Sequence, residues 1–322
     1  MAASSSSTQK VLRIGLWGAP GSGKTTFLSA LYIAVSRSPL DLLIYGTDEE
    51  STEFLINSTH ALSNERRFPA GTQSLHQPGL AMHMLTQAPV KRRFGRMAAE
   101  AAAVLLSIDM LETPSGMYSS VPEAASVGHG SQLALPEDDR INRLAACDGI
   151  VFFIDPTQEQ TKAGAYEYLT GALLRMAQRQ LMLSPGPKLP QHIAVCVTKF
   201  DDPEIYRVAR LRGFRTYDEN DPFLFPRVHS DDAEIFFREL STRSGSESND
   251  LIADTIRSYF HEDRIRYFIT SSIGFYLGKG GRFRDDDPQN CTHDSRIRGP
   301  VHPINVVEPL VWLGNSLAGG AR

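Results

Sequence analysis

The hydrophobic pattern of the chain begins with an apolar run, a glycine-rich turn and an amphipathic helix. Residues Val11 to Trp17 predict a buried strand, and Gly18 to Gly23 predict a tight turn. Apolar side chains recur at helical spacing from Thr25 to Ser36, which predicts a helix with one buried face. These three elements follow one another in the order that a phosphate-binding site needs.

Five further apolar runs are bounded by polar or turn residues and predict the other strands of a sheet. They run from Leu80 to Leu85, Ala101 to Leu111, Gly149 to Ile154, His192 to Val197 and Arg266 to Thr270. Helices are predicted at about Glu50 to Ser63, Gln158 to Leu183, Asp232 to Phe260 and Asn305 to Leu317. Since the buried runs alternate with helices, we expect a three-layer α/β fold around a mainly parallel sheet of about six strands.

Long polar stretches separate these elements and predict insertions. They lie at about residues 38–79, 113–138, 202–260 and 278–303. Strands with the right chemistry occur on both sides of the insertions, so we expect residues 11–322 to form a single elaborated domain. The serine-rich residues 1–10 precede the first strand and predict a short disordered tail.

Composition and charge exclude several kinds of partner. The 322 residues carry a formal net charge of -4, which provides no general attraction to nucleic acid or to anionic lipid. Three widely spaced cysteines, Cys147, Cys196 and Cys291, favour neither a disulfide framework nor a paired-cysteine metal site. The sequence has no secretory signal pattern and no apolar stretch of membrane-spanning length. We therefore expect a cytoplasmic protein with no nucleic-acid partner and no membrane span.

The turn after the first strand carries the strongest chemical signal. Residues Gly18 to Thr25 read GAPGSGKT and match the pattern GxxxxGK[ST], in which backbone N–H groups surround phosphates, lysine neutralises them and the hydroxyl binds Mg2+. The predicted phosphate-binding residues are Gly18, Gly21, Ser22, Gly23, Lys24, Thr25 and Thr26. Thr25 is also the predicted Mg2+ ligand. A plain flexible turn is the alternative interpretation, and the flanking strand and helix disfavour it.

A second signal directly follows the apolar run that ends at Val197. It consists of Thr198, Lys199 and Asp201, placed at the carboxyl end of a strand, where α/β sheets bind ligands. An aspartate there can accept two hydrogen bonds from guanine, through its N1 and N2 groups, whereas adenine offers no such pair of donors. An exposed Lys-Asp turn is the alternative interpretation. The position after a strand and downstream of the phosphate motif favours guanine recognition.

Together these motifs resemble the translation-factor and Ras-like class of GTPases, whose [NT]KxD motif Thr198 to Asp201 matches. The resemblance implies a G-domain-like P-loop fold that binds GTP and GDP with Mg2+ and works as a GTP-hydrolysing switch. It also implies that Ser271 and Ser272 belong to a loop whose backbone amides reach the guanine oxygen. A serine pair is also typical of a simple helix cap, which is the alternative interpretation.

The third strand departs from that class, in which this strand ends with DxxG. The chain here reads SIDMLETPSG from Ser107 to Gly116. In one register Glu112 replaces the aspartate, and in the other Asp109 is the acidic residue near Mg2+. We favour Glu112, because Thr113 and Pro114 resemble the residues that come after the aspartate in the class and the longer carboxylate can act through a Mg2+-bound water.

The class implies two further roles for residues near the γ-phosphate. Thr72 is the candidate for closing over Mg2+ and the γ-phosphate, because it precedes the second predicted strand. Other threonines considered for this role are Thr47, Thr52 and Thr59, and a simple turn threonine is the alternative for Thr72. Catalysis would then involve Lys24, Thr72 and Glu112. No glutamine follows Glu112 to orient the attacking water, so we expect slow GTP hydrolysis.

The order of elements also resembles the bacterial double-GTPase family. The likeness rests on the spacing between Lys24 and Thr72, the long segment from Asp202 to Phe260 and the ending from Pro303 to Leu313. It implies a role in a multi-protein system of bacterial defence or signalling, with a protein effector or regulator as partner. Two alternatives stay open: a scaffold that holds GTP or GDP without turnover, and an ATP-using P-loop enzyme in which the guanine motif is coincidental.

Two weaker candidates are interpreted as structural. Asp155 closes the apolar run from Gly149 to Ile154, a position that binds Mg2+ in other P-loop proteins but is usually structural in GTPases. The sequence Cys291-Thr-His293 has too few neighbouring ligands for a zinc site. Neither is predicted to contact the nucleotide.

Overall fold

The computed structural model describes residues 10–70, 79–91, 97–111, 137–158, 164–183, 186, 188–241 and 247–319. In this part of the chain one large sheet is formed by β1 (Lys10–Gly18), β2 (Leu42–Gly46), β3 (Gly79–Lys91), β4 (Met97–Met110), β5 (Gly149–Ile154), β6 (His192–Val197) and β9 (Ile265–Ile269). Two short strands, β7 (Arg215–Tyr217) and β8 (Pro226–Val228), pair as a separate antiparallel hairpin. The order across the large sheet is β2-β3-β4-β1-β5-β6-β9.

The helices with described bounds are α1 (Lys24–Arg37), α2 (Glu49–Ser63), α3 (Glu137–Ala145), α4 (Gly164–Leu183), α5 (Pro203–Arg212), α6 (Ala233–Glu239), α7 (Ser248–Tyr259) and α8 (Glu308–Gly319). Local sequence explains where several of them begin. Asp202 caps α5, because its side chain accepts hydrogen bonds from the N–H groups of Glu204 and Ile205, and proline follows it. Within the described residues, none of the helices combines the length and the apolar character needed to cross a membrane.

The expected α/β fold with a mainly parallel sheet is confirmed. β1 pairs in parallel with β4 and β5, and β6 lies parallel between β5 and β9. The sheet has seven strands rather than about six, because β2 adds an edge strand antiparallel to β3. β3 in turn runs antiparallel to β4, and these two strands extend beyond the apolar runs that predict them.

Helices cover both faces of the sheet and create three layers. On one face, Ile14 and Leu16 of β1 share a buried cluster with residues of α1 and α8. On the other face, Trp17 belongs to a cluster that includes residues of α3, α4, α6 and α7. The strand β5 is buried at all of its positions and contributes to both clusters. Burial on both faces explains why such strands are continuous apolar runs in the sequence.

Two predicted helices need correction. The expected helix from Asp232 to Phe260 is two helices, α6 and α7, because the serine- and glycine-rich sequence between them favours turns. The helix predicted from Gln158 to Leu183 is helical over Gly164–Leu183, named α4, and at Gln158, while residues 159–163 lie outside the described residues. The last helix is displaced relative to its prediction and occupies Glu308–Gly319. The predicted insertion at residues 278–303 is irregular, as expected, and contains isolated bridges rather than strands.

Candidate functional site

Four segments that follow neighbouring strands meet at one edge of the sheet. β1, β5, β6 and β9 are parallel neighbours, so their carboxyl ends lie at the same edge. The segments after these ends are the glycine-rich loop from Gly18, the residue Asp155, the motif from Thr198 to Asp201, and the pair Ser271 and Ser272. The fold therefore brings together the residues predicted to bind phosphate and guanine. This edge is the usual ligand site of α/β sheets.

The loop between β1 and α1 needs glycine for two different reasons. A Cβ atom added to Gly18 would lie 2.6 Å from the carbonyl oxygen of Phe153 on β5, so a side chain there would collide with backbone. Gly21 and Gly23 have φ angles of 79° and 97°, in the left-handed region that glycine adopts without strain. These positions allow the backbone to curve tightly, which is the geometry that directs successive N–H groups towards an anion.

The loop ends where α1 begins, and this helix end is suited to a negative charge. Lys24 is the first residue of α1, and its Nζ donates to the carbonyl oxygens of Gly18 at 2.7 Å and Ala19 at 3.1 Å. No side chain caps the helix at Gly23, and its first turn contains no acidic residue. The N–H groups and the dipole of α1 therefore present positive partial charge to the loop. Lysine and helix end together provide the positive charge that a phosphate site needs.

Thr198 connects the second motif to the glycine-rich loop. Its hydroxyl oxygen lies 3.1 Å from the carbonyl oxygen of Ser22 and 3.1 Å from that of Ile154. Its N–H also donates to the Ile154 carbonyl at 2.8 Å. Thr198 is buried, so these contacts are protected from water. The separation between the phosphate loop and the residues after β6 is thus set by direct hydrogen bonds as well as by the sheet.

Asp201 and Ser271 form one hydrogen-bonded unit. The Ser271 hydroxyl donates to Oδ1 of Asp201 at 2.5 Å and accepts a hydrogen bond from the N–H of Gly274 at 2.8 Å. Burial raises the pKa of Asp201 from its ordinary value of 3.8 to about 6, while the bond from Ser271 opposes that rise by stabilising the charged form. The carboxylate is consequently fixed in orientation and poised to accept hydrogen bonds from a ligand.

The irregular region that follows β9 supports this unit through backbone and side-chain contacts. A Cβ atom on Gly274 would lie 2.0 Å from the carbonyl oxygen of His302, and its φ is 68°, so glycine is required there. The fully buried Asn290 donates to the carbonyl of Ile273 at 3.2 Å and accepts from the N–H of Gly299 at 2.8 Å. The sequence gives no motif for either residue, and only their contacts across the fold identify them.

Asp155 also contributes to this edge, although its sequence position alone indicates only a structural role. Its Oδ2 lies 2.5 Å from Nζ of Lys199, and its side chain is 1% exposed. The backbone of Lys199 has a φ of 61°, which is uncommon for a residue with a side chain. An ion pair between the buried carboxylate of Asp155 and the partly exposed side chain of Lys199 therefore joins the end of β5 to the guanine motif.

The predicted magnesium residues are only partly placed by the structure. Thr25 lies half-buried in the first turn of α1, next to the predicted phosphate-binding residue Thr26, which is also half-buried. Ser272, predicted for the guanine loop, is half-buried beside Ser271. Asp109 lies on β4, level with Gly15 of β1. Gly15 precedes Gly18 by three residues, so Asp109 lies roughly 10 Å along the strand direction from the start of the glycine-rich loop. Thr72 and Glu112 lie outside the described residues. Among the described residues, no group of three His, Cys, Asp or Glu side chains is arranged to hold a metal ion.

The alternative threonines already have local partners. The hydroxyl of Thr47 donates to the carbonyl of Gly79 at 3.1 Å, that of Thr52 to Asp48 at 2.8 Å, and that of Thr59 to Ser29 at 3.3 Å. The last two residues belong to α2, where the regular helix fixes their position. Their bonds are typical of structural threonines.

Comparison with known proteins finds similarity at the level of structure only. No family model matches the sequence, and no curated protein is significantly similar to it. Among solved structures, the chain is similar to sup35 complexed with GDP, with a TM-score of 0.29 and 10% identity over 82% of this chain and 38% of that chain. It is similar to sup35 complexed with GMPPNP, with a TM-score of 0.28 and 11% identity over 82% of this chain and 38% of that one.

A further similar structure is the signal recognition particle receptor SRb-GTP/SRX complex from Chaetomium thermophilum. The TM-score is 0.34 and the identity 15%, over 84% of this chain and 94% of that chain. This chain spans well under half the length of the sup35 chains, at 38%. Similarity at these scores does not assign an activity, so the function is inferred from the residues of the site.

Proposed function

We propose that the chain is a guanine-nucleotide-binding P-loop protein that hydrolyses GTP slowly and acts as a molecular switch. The observation that supports this best is the hydrogen-bonded connection between its two half-sites. Thr198 contacts Ser22 in the phosphate loop, and Asp201 follows it in the same segment beside Ser271. A ligand that places phosphate at Lys24 and a hydrogen-bonding base at Asp201 engages both halves. GTP and GDP are such ligands.

Asp201 favours guanine over adenine for a physical reason. The residue is 8% exposed, and one carboxylate oxygen accepts a hydrogen bond from the hydroxyl of Ser271. Guanine supplies two N–H donors side by side for a carboxylate, whereas adenine offers no such pair and leaves the buried oxygens unsatisfied. The described geometry therefore fits a guanine nucleotide better than it fits ATP.

The proposed roles of the phosphate residues follow from their positions. Lys24 and the backbone N–H groups from Gly21 to Thr25 would hold the phosphates, and the Thr25 hydroxyl would ligate Mg2+, which supplies charge neutralisation at the phosphates when bound. Thr72 and Glu112 are proposed to complete the triphosphate state. The level of Asp109 on β4 favours Glu112 for this role. Loss of contacts to the γ-phosphate would then release the segments around Thr72 and Glu112.

A competition titration tests base recognition. Labelled GDP is bound to the wild-type chain and displaced with GTP, ATP and xanthosine diphosphate, and the titration is repeated with Asp201→Asn. The wild type should prefer guanine, and the variant should lose about tenfold to 100-fold in GDP affinity, the scale of hydrogen bonds to a charged group, while gaining affinity for xanthine. Equal competition by ATP, with no change in the variant, would contradict the proposal.

Turnover separates the switch from the non-hydrolysing scaffold. GTP is incubated with the protein and Mg2+, alone and with candidate regulators, and the conversion to GDP is followed by chromatography. Slow conversion that Lys24→Met abolishes supports the switch, because this lysine neutralises the transferred phosphoryl group. Bound GTP that survives long incubation under every condition would select the scaffold instead.

The cellular setting is proposed on the sequence resemblance alone. The proposal places the chain in a bacterial signalling or defence system with a protein effector. It also includes a cytoplasmic location and a single domain over residues 11–322. The matching test captures partner proteins by affinity with the GTP-bound form and with the GDP-bound form. A switch should capture different effector proteins in the two states. Equal capture by both forms would contradict a switch.

A further inference from the structure

The carboxylate of Asp155 is buried, and each of its two oxygens has a polar group of another residue close by. Its Oδ1 accepts hydrogen bonds from the N–H of Thr157 at 3.0 Å and from the Thr157 hydroxyl at 2.6 Å. Its Oδ2 lies 2.5 Å from Nζ of Lys199 and makes no directional hydrogen bond with any described residue. The side chain is 1% exposed, so little water is available to this charge. Lys199 is consequently the cation that balances it.

Lys199 itself is held in an unfavourable backbone conformation. Its φ of 61° lies in the left-handed region, where a Cβ atom crowds the following carbonyl. Such a conformation persists where the surroundings over-determine it, which occurs most often at functional sites. The surroundings here are the ion pair with Asp155 and the hydrogen bond from the N–H of Asp202 to the Lys199 carbonyl at 2.8 Å. The segment that carries Asp201 depends on both.

Asp155 is also connected to the glycine-rich loop, through Gln158 in the segment that follows it. The Asp155 carbonyl accepts a hydrogen bond from the N–H of Gln158 at 3.1 Å. The Gln158 side chain in turn lies against the loop, with Nε2 3.4 Å from the carbonyl oxygen of Gly21. Asp155 is thereby connected to both halves of the proposed nucleotide site, by its carboxylate to Lys199 and by its backbone carbonyl, through Gln158, to the glycine-rich loop.

We propose that Asp155 is a positioning residue for base recognition, acting through Lys199 to hold the segment from Thr198 to Asp201 in its binding conformation. This inference rests on the proposed guanine-nucleotide function and adds a residue to it. Asp155 need not touch the base or a metal ion in this role. Removal of its charge frees Lys199 and allows the strained backbone to relax, which moves Asp201 away from the base.

A double-mutant cycle on Asp155 and Lys199 tests the inference. The affinity for labelled GDP is measured for the wild type, Asp155→Asn, Lys199→Met and the double variant. We expect Asp155→Asn to raise the Kd about tenfold, between the small effect of an exposed ion pair and the large effect of a buried one, because Asp155 is buried and Lys199 is partly exposed. In the Lys199→Met background the same change should alter the Kd by less than about twofold, because the partner through which Asp155 acts is already gone.

The matched control is Asp148→Asn, an identical change next to the opposite end of β5. Asp148 accepts a hydrogen bond from the N–H of Arg13 at 2.8 Å and is remote from the guanine motif. Its variant should bind GDP as the wild type does. If Asp155→Asn does not fold, Thr157→Val removes the hydroxyl donor from the same carboxylate, and we expect it to raise the Kd about threefold.

The outcomes separate this inference from the function on which it rests. If the wild type binds GDP and the losses in affinity add in the double variant, Asp155 is merely structural. That result overturns the inference and leaves the proposed function standing. Absence of GDP binding by the wild type overturns both. Thermal unfolding without nucleotide reports on the ion pair itself, since Lys199→Met leaves a buried carboxylate without its cation and should unfold at a lower temperature than the double variant.

Discussion

Ser271 and Asp201 lie 70 residues apart in the chain, and the hydroxyl of Ser271 donates a hydrogen bond to Asp201 Oδ1 at 2.5 Å. The contact joins the loop after β9 to the loop after β6 in a single unit. Burial of this unit raises the pKa of Asp201 to about 6, close enough to neutral pH to matter for binding. The same contact therefore controls both the orientation and the charge of the proposed base-reading carboxylate.

We expect GDP affinity to fall as the pH is lowered through about 6. Protonated Asp201 cannot accept two hydrogen bonds from guanine, so affinity should drop roughly tenfold between pH 7 and pH 5. Ser271→Ala should shift the fall to higher pH, because the serine hydrogen bond stabilises the charged carboxylate. Fluorescence titrations across this range measure the effect. Asp201→Asn is the control, and a wild-type profile as flat as that of this variant would refute the expectation.

The same pKa predicts how folding stability depends on pH without nucleotide. A folded-state pKa of about 6 lies above the ordinary 3.8, so the folded protein holds this proton more tightly than the unfolded chain. The resulting stabilisation is full below pH 3.8 and is lost as the pH rises through about 6. Relative to Asp201→Asn, the wild type should lose on the order of 3 kcal/mol of unfolding free energy between pH 4 and pH 7.

Urea unfolding of the two proteins at several pH values measures this difference. Asp201→Asn is the informative comparison, because the amide keeps the shape of the carboxylate but has no charge to bury. The variant should be the more stable protein at pH 7 and the poorer binder of GDP. Parallel stability profiles would mean that Asp201 is more hydrated than its burial indicates.

The central strands and the glycine-rich turn after β1 are predictable from the sequence because local signals specify them. β5 and β6 are apolar runs buried on both faces. The turn after β1 needs glycine because its backbone adopts positive φ angles at Gly21 and Gly23. β2 escapes prediction because it is a five-residue edge strand with Leu43 and Tyr45 exposed. Its pattern is mixed and short. The antiparallel direction of β3 escapes as well, since apolar periodicity does not encode strand direction.

The site is predictable only where a motif is contiguous. Thr198, Lys199 and Asp201 stand together in the sequence, and the structure places them beside the phosphate loop. The partners that hold them are distant in the sequence. Asp155 lies at the end of the neighbouring strand β5 and contacts Lys199, and the N–H of Gly274 donates to Ser271. No spacing rule connects such residues. Their roles follow from packing, which the sequence specifies only collectively.

Gly274→Ala should weaken both folding and nucleotide binding. The added Cβ would lie 2.0 Å from the carbonyl oxygen of His302, so the pairing of this segment with residues 302–304 has to shift, and the N–H that reaches Ser271 shifts with it. We expect a loss of about 2 to 4 kcal/mol in unfolding free energy, from overpacking and left-handed strain together. GDP affinity should fall as well.

Gly280→Ala is the matched control for that change. Gly280 lies in the same irregular region after β9, with a φ of 99°, and nothing lies within 4 Å of an added Cβ. The variant carries the same kind of backbone strain without the collision, so it should cost about 1 to 2 kcal/mol and leave GDP affinity unchanged. Equal effects of the two substitutions on GDP binding would show that the contact with Ser271 does not position the base site.

The magnesium dependence of GTP binding distinguishes the two acidic candidates on the third predicted strand. Asp109 lies level with Gly15, about three residues short of the glycine-rich loop, whereas Glu112 comes later in the sequence and lies outside the described residues. Glu112→Gln should therefore weaken Mg2+-dependent GTP binding about tenfold, because a carboxylate that orders Mg2+-bound water is lost, and Asp109→Asn should change it little. Titration of Mg2+ at fixed GTP measures both variants. A large effect of Asp109→Asn alone would reverse the assignment and require β4 to shift relative to β1 when nucleotide binds.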